Sequence, residues 1–196
     1  MAHPARLPIS LFLLSLLLWG CNAREQPVHH NYKLLAKESH RLTMLNGIVM
    51  ENNQPFTGTL FTLFPGTVDT AELATYKDGK EHGEWKKYYP SKKIKGKRYF
   101  ENGQKTGEYL AWWENGNKQL DYVFVDGEYE GACKEWNEKG LLTRHMNYKQ
   151  GHEEGSQQYW YDNGKIKANY IIKAGRRYGL LGTKNCINVS DSIFKN

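Results

Sequence analysis

Cysteine is scarce in this chain, with three residues among 196, at Cys21, Cys133 and Cys186. Disulfide-stapled secreted scaffolds and zinc sites built on paired cysteines both need more, at defined spacing. Apolar sequence is short as well: the run from Ile9 to Trp19 falls well below the about 20 residues that span a bilayer as a helix. From Tyr76 to Gly179 no segment shows helical spacing of apolar residues. Catalytic signatures are missing too. There is no H-E-x-x-H, no G-x-S-x-G elbow, no P-loop and no G-x-G-x-x-G between a strand and a helix. Glu81-His82 and His152-Glu153-Glu154 fall between closely spaced glycines, where charged side chains are ordinarily solvated. His29, His30 and His40 do not complete a four-ligand set. No catalytic residue, no metal ligand and no cofactor is therefore expected.

What the chain does have is glycine, and it is periodic. Glycine recurs every 24 residues at Gly79, Gly103, Gly127, Gly151 and Gly175, and again four places later at Gly83, Gly107, Gly131, Gly155 and Gly179. Three residues before the first of each pair stands Tyr76, Phe100, Phe124, Tyr148 or Ile172, and five after the second stands Tyr88, Trp112, Trp136 or Trp160. Columns in phase mean an array of one supersecondary unit, each copy burying its apolar face only against its neighbours.

The unit reads as a β-hairpin. One turn is Asn115-Gly116 or Asn163-Gly164, with Lys139-Gly140 and Pro90-Ser91 as degenerate versions and Lys92 standing where the others have glycine. Asn-Gly suits a turn in which both residues take positive φ. The other turn lies between the paired glycines, opened by Asp78-Gly79, Asn102-Gly103 and Asp126-Gly127, with the second glycine expected to permit close backbone approach. Between turns, Leu120, Tyr122, Phe124, Met146, Tyr148 and Tyr170 alternate with polar residues such as Gln119, Asp121, His145 and Asn169, the period of a strand with one covered face. The signature G-x-x-x-G-x-x-x-x-W-x-x-N-G resembles the MORN-variant repeat family, whose bacterial members include YwqK-type antitoxins. The resemblance implies an all-β, antiparallel hairpin array forming an elongated curved sheet, with interaction roles rather than catalysis.

The chain divides accordingly. Residues 1–20, with Arg6, the Ile9 to Trp19 run and Leu18-Trp19-Gly20-Cys21, read as a lipoprotein signal peptide. Residues 21–44 are the lipidated Cys21 and a tether that could extend up to about 75 Å. Residues 45–196 form the repeat domain, with regular repeats over 76–181 and a tail, 182–196, expected to cover the open edge strand. The first copy is worn: Phe56 to Pro65 parallels the later Gly83 to Pro90 segment with one extra residue in the loop around Gly66 to Asp69. Cys133 and Cys186 lie about two hairpins apart, roughly 19 Å at the usual strand spacing, beyond the about 7 Å a disulfide tolerates. Free thiols are expected unless the tail folds back.

Two surface features invite a partner. Lys86, Lys87, Lys92, Lys93, Lys95, Lys97 and Arg98 form a basic block without an acidic residue between them, a candidate contact for an anion or lipid headgroup. Trp85, Tyr89, Trp113 and Tyr161 are aromatics outside the regular tryptophan column and are candidates for a binding face. Trp112, Trp136 and Trp160, being regular, are expected to be core, with a stacking platform as the other reading. The leading functional expectation is a lipid-anchored, non-catalytic interaction module of the bacterial cell envelope, on the outer membrane if the host is Gram-negative. Its partner is the membrane through Cys21 and a protein, headgroup or envelope polymer through the sheet. An antitoxin-like role sequestering a protein follows from the resemblance alone, and an enzyme with an unrecognised site is the third reading. No nucleic acid partner is expected outside the cytoplasm.

Overall fold

The computed structural model describes residues 33–182. The signal segment, Cys21, the start of the tether, Cys186 and the tail beyond Gly182 lie outside the described residues. Those described are strands and turns without a helix. The N-terminal strands are β1 (Leu34–Ala36), β2 (Leu42–Leu45), β3 (Ile48–Glu51) and β4 (Gln54–Pro55). The array proper begins with β5 (Gly58–Leu63), β6 (Thr70–Lys77), β7 (Lys80–Tyr88), β8 (Ile94–Glu101), β9 (Gln104–Trp112) and β10 (Lys118–Val125). It continues through β11 (Glu128–Tyr129), β12 (Gly131–Trp136), β13 (Leu142–Lys149), β14 (His152–Glu153), β15 (Gly155–Trp160), β16 (Ile166–Lys173) and β17 (Arg176–Leu180).

Strand order follows the chain. The main sheet runs β1-β5-β6-β7-β8-β9-β10-β12-β13-β15-β16-β17, with β11 on β10 and β14 on β13. Every pairing in it is antiparallel except that of β1 with β5. It is the expected open meander of hairpins.

Two kinds of turn alternate. Asp78-Gly79, Asn102-Gly103 and Asp126-Gly127 have φ of 50/76°, 50/88° and 50/86°, the left-handed pair of a two-residue hairpin turn whose twist matches the flanking strands. The other turn departs from expectation, because only its glycine is left-handed. Gly116 (φ 95°) closes a turn in which its N–H donates to the Trp113 carbonyl and the Trp113 N–H donates to Asn117 O, both at 2.8 Å. This is a type I turn completed by one left-handed residue. Asn115 contributes instead through its side-chain oxygen, which accepts from the Asn117 N–H at 2.9 Å. Lys92 takes the glycine's place at φ 65°, an unfavourable conformation for a side-chain-bearing residue.

The second glycine of the pair makes the expected close backbone approach at Gly179, where a Cβ would lie 2.7 Å from Asn169 O. At Gly131 (φ 71°) and Gly155 (φ 74°) it stands in a strand irregularity instead, with nothing within 4 Å of where a Cβ would lie. Glu130 and Glu154 interrupt the strand just before them. Positive φ, and not crowding, is what requires glycine there.

The tether reading fails from Leu34 onward, nearly half of its length. Leu34–Ala36 pairs in parallel with Thr59 to Phe61, and Leu42–Leu45 begins a second sheet, β2-β3-β4. The physical reason is burial: Leu35 and Val49 join Phe56, Leu60, Ala74 and Tyr76 in one core cluster, against which Leu42 and Trp85 pack. At about 1.5–3 kcal/mol per buried large apolar side chain, this cap offsets the ordering of a short segment. Gly79 is where the small sheet docks. Its N–H donates to Phe56 O at 2.8 Å and its carbonyl accepts from the Val49 N–H at 2.9 Å. The worn first hairpin has the extra residue expected: its loop covers 64–69, against 89–93 in the next.

Along the rest of the array the buried column is Phe100, Phe124, Met146, Ala168, Tyr170 and Ile172, with Ala111, Cys133 and Gln157 beneath it. Cys133 is fully buried with no disulfide partner among the described residues. The tryptophan column is not this core. Trp112, Trp136 and Trp160 are only half-buried, standing three residues beyond Tyr109, Cys133 and Gln157. At the C-terminal end all five residues of β17 are exposed.

Candidate binding groove

The array carries a groove of about 1300 Å³ that opens along its later repeats. Strands β10, β12, β13, β15 and β16 supply Tyr122, Glu135, Arg144, Tyr159 and Tyr170, and Trp113, Trp136 and Trp160 line its turn end. Hairpins in register make such a row: residues 24 apart in sequence stand two strands apart, about 9.6 Å at normal spacing. The floor is low because Ala168 is among its lining residues.

The polar groups of the groove are held by one another. Glu135 accepts from the Tyr122 hydroxyl and from Arg144 Nη1, the latter at 3.2 Å. Burial, reinforced by this carboxylate, pushes the Tyr122 phenol far above its ordinary value. Tyr159 is likewise raised, by burial first and then by its bond with Tyr170. Glu153 gathers the Tyr170 hydroxyl at 3.1 Å, the Tyr159 hydroxyl at 3.4 Å and Arg177 at 3.1 Å. These are locked, protonated phenols, good for presenting hydrogen bonds and poor as bases. No cluster of three or more potential metal-ligating side chains occurs among the described residues.

Of the aromatics singled out by sequence, Trp113 and Tyr161 line the groove, while Trp85 and Tyr89 lie outside it and make contacts within the fold. Trp85 is half-buried and packs against the core cluster: its ring is tilted against Tyr76 and Phe100 at 5.7 and 4.7 Å, its indole N–H donates to Thr75 O at 3.1 Å, and Arg98 lies over it. Tyr89 donates its hydroxyl to Trp112 O at 3.0 Å, and Trp113 its indole N–H to Trp136 O at 2.9 Å. Both staple one repeat to the next. Tyr161 is exposed, with the Lys167 ammonium 5.7 Å from its ring centre. Sequence reasoning missed Tyr122, Glu135, Arg144 and Tyr159 as groove residues. The signal available was the inward strand phase, which places Tyr122 and Arg144 on one face.

The basic block is less bare than its sequence. Lys86 pairs with Glu84, Lys87 with Glu72 at 3.7 Å and Lys92 with Asp69 at 2.9 Å. Lys93 donates to Glu114 O at 2.8 Å, Lys95 and Lys97 lie over Tyr89 and Tyr99, and Arg98 lies over Trp85 and Phe100. The carboxylates lie outside the 86–98 segment: Glu84 two residues before Lys86 on β7, Glu72 on β6, and Asp69 in the loop before β6. Such pairs at the surface contribute little each, and the ammonium groups of Lys87 and Lys92 keep much of their exposure.

Residues 81–102 and 153–170 match the family model described as the MORN repeat variant. The chain thus carries repeats of this kind, in which interaction without catalysis is the general role. No curated protein matches. Among solved structures, one described as accessory secretory protein 1, 2 and 3 in Streptococcus pneumoniae shares 17% identity over 60% of this chain, with a TM-score of 0.18. The match spans 17% of the length of that chain.

Proposed function

We propose that the protein is a lipid-anchored interaction module of the bacterial cell envelope, held to a membrane by Cys21 and binding an envelope component with its repeat sheet. The observation that carries the interaction reading is the open groove, whose aromatic and charged side chains are fixed across successive hairpins before any partner arrives. Preorganised side chains lower the ordering cost of binding. The anchor rests on Leu18-Trp19-Gly20-Cys21. The basic block is the part of the array facing anionic headgroups in this arrangement, each exposed lysine adding about 1 kcal/mol near such a surface.

Fractionation tests the anchor. The unmodified protein should sediment with membranes and Cys21→Ala should not. Sedimentation of Cys21→Ala after a high-salt wash would refute it. Crosslinking in intact envelopes tests the module: a reproducible adduct through the sheet supports it. A stoichiometric complex with a cytosolic protein would favour the antitoxin-like role instead.

A further inference from the structure

We infer that the groove binds an extended, uncharged β-1,4-linked oligosaccharide, running across the strands with one disaccharide per repeat. This rests on the reading of the array as an interaction module and names its ligand.

Three observations converge on that chemistry. The first is spacing. Trp136 on β12 and Trp160 on β15 stand one repeat and two strands apart, about 9.6 Å, close to the length of a disaccharide unit in a flat β-1,4-linked chain. Successive sugars in such a chain alternate in orientation, so every second ring presents the same face to a platform. The second is surface chemistry. Both tryptophans are half-buried and line the groove, the Lys118 ammonium lying 5.5 Å from the Trp136 ring centre, and neither indole N–H makes a hydrogen bond among the described residues, unlike that of Trp113. An aromatic face with an adjacent unused donor suits the C–H face and ring hydroxyls of a pyranose. Between the platforms, Glu135 and Arg144 offer planar acceptors and donors already fixed by their mutual bond. The third is charge. Glu135, Glu138 and Asp162 are balanced in the lining by Lys139, Arg144 and Lys167, so the groove has no net attraction for a polyanion or polycation. A peptide strand would instead seek a sheet edge, and this groove lies across paired strands.

The test uses the full-length protein in a zwitterionic detergent free of sugar, titrated with chitohexaose, cellohexaose and, as the α-linked control, maltohexaose. Tryptophan fluorescence and calorimetry report binding, and thermal unfolding confirms that each variant is folded. Saturable binding of a β-linked hexaose, about tenfold or more weaker for Trp160→Ala and for maltohexaose, is the expected result. Trp160→Phe keeps a ring in place while removing the N–H, and should fall between the two. Absence of saturable binding by either β-linked hexaose would overturn the inference, as would binding indifferent to Trp136→Ala and Trp160→Ala in folded protein. A protein crosslinked through the groove without any hexaose affinity would overturn it too, while leaving the interaction module standing.

Discussion

The indole N–H of Trp113 donates to the carbonyl of Trp136, 2.9 Å away and 23 residues on. Tyr89 makes the same step to Trp112, and Asn115 and Asn117 both reach Glu138 O at 2.7 and 2.8 Å. The turn end of the array is therefore sewn by side chains, while its strands are joined by backbone.

Trp113→Phe removes one stitch and keeps the ring. It should cost about 1 kcal/mol, the usual net contribution of such a hydrogen bond. Urea unfolding checks this through a lower midpoint at unchanged slope.

Lys92→Gly should stabilise the protein. A left-handed residue with a Cβ costs about 1–2 kcal/mol, part of which the extra freedom of glycine in the unfolded chain offsets. The lost ion pair with Asp69 involves a lysine side chain 75% exposed, so it subtracts little. A midpoint shift equivalent to roughly 0.5–1 kcal/mol is expected.

Gly79→Ala and Gly103→Ala both demand a left-handed alanine, yet they should differ. A Cβ at Gly79 would come within 2.6 Å of Val49 O, whereas at Gly103 the nearest atom is the end of the Glu81 side chain at 3.6 Å. Gly79→Ala should be the more destabilising by thermal melting and should loosen the small sheet, read as faster amide exchange at Val49.

Phe124 is 4% exposed, so Phe124→Ala should cost about 3–5 kcal/mol. Trp136→Ala, at a half-buried site, should cost clearly less despite the larger ring. Equal losses in chemical denaturation would restore the tryptophan column to the core.

Alkali should unfold the protein. Burial, with added repulsion from nearby carboxylates at Tyr76 and from Tyr159 and Glu153 at Tyr148, pushes both phenols to about 12 from 10.0. The unfolded chain therefore releases these protons first, and the folded state binds more protons between those values. Stability is complete below about pH 10 and falls as pH rises towards about 12. Absorbance at the phenolate band should rise together with loss of far-ultraviolet signal, and Tyr148→Phe should flatten the decline.

The repeat length, the hairpins, both turn positions and the inward phase of Phe100, Phe124 and Met146 could be read from spacing because glycine and alternation are local signals. What escaped depends on register and on distant partners. Each hairpin carries a register irregularity just before the turn, as between Glu135 and Trp136 or Tyr159 and Trp160, so counting forward from the glycine misplaced the tryptophans as core. The carboxylates that meet Lys87 and Lys92 sit on and beside β6, and the partner of Leu35 lies 25 residues on at Leu60. None of these contacts has a periodic trace. The groove shared that difficulty, since its residues come from five strands.

The bonds from each turn to the next fix a consequence for the length of the molecule. Because Tyr89 and Trp113 each reach a carbonyl 23 residues on, splicing in a further 24-residue copy of this kind would preserve that step, whereas an insertion of another size between the turns would break it. Variants that keep these bonds therefore grow or shrink in whole hairpins, and the row of groove-lining tryptophans changes in the same discrete steps, making the length of the groove a countable property.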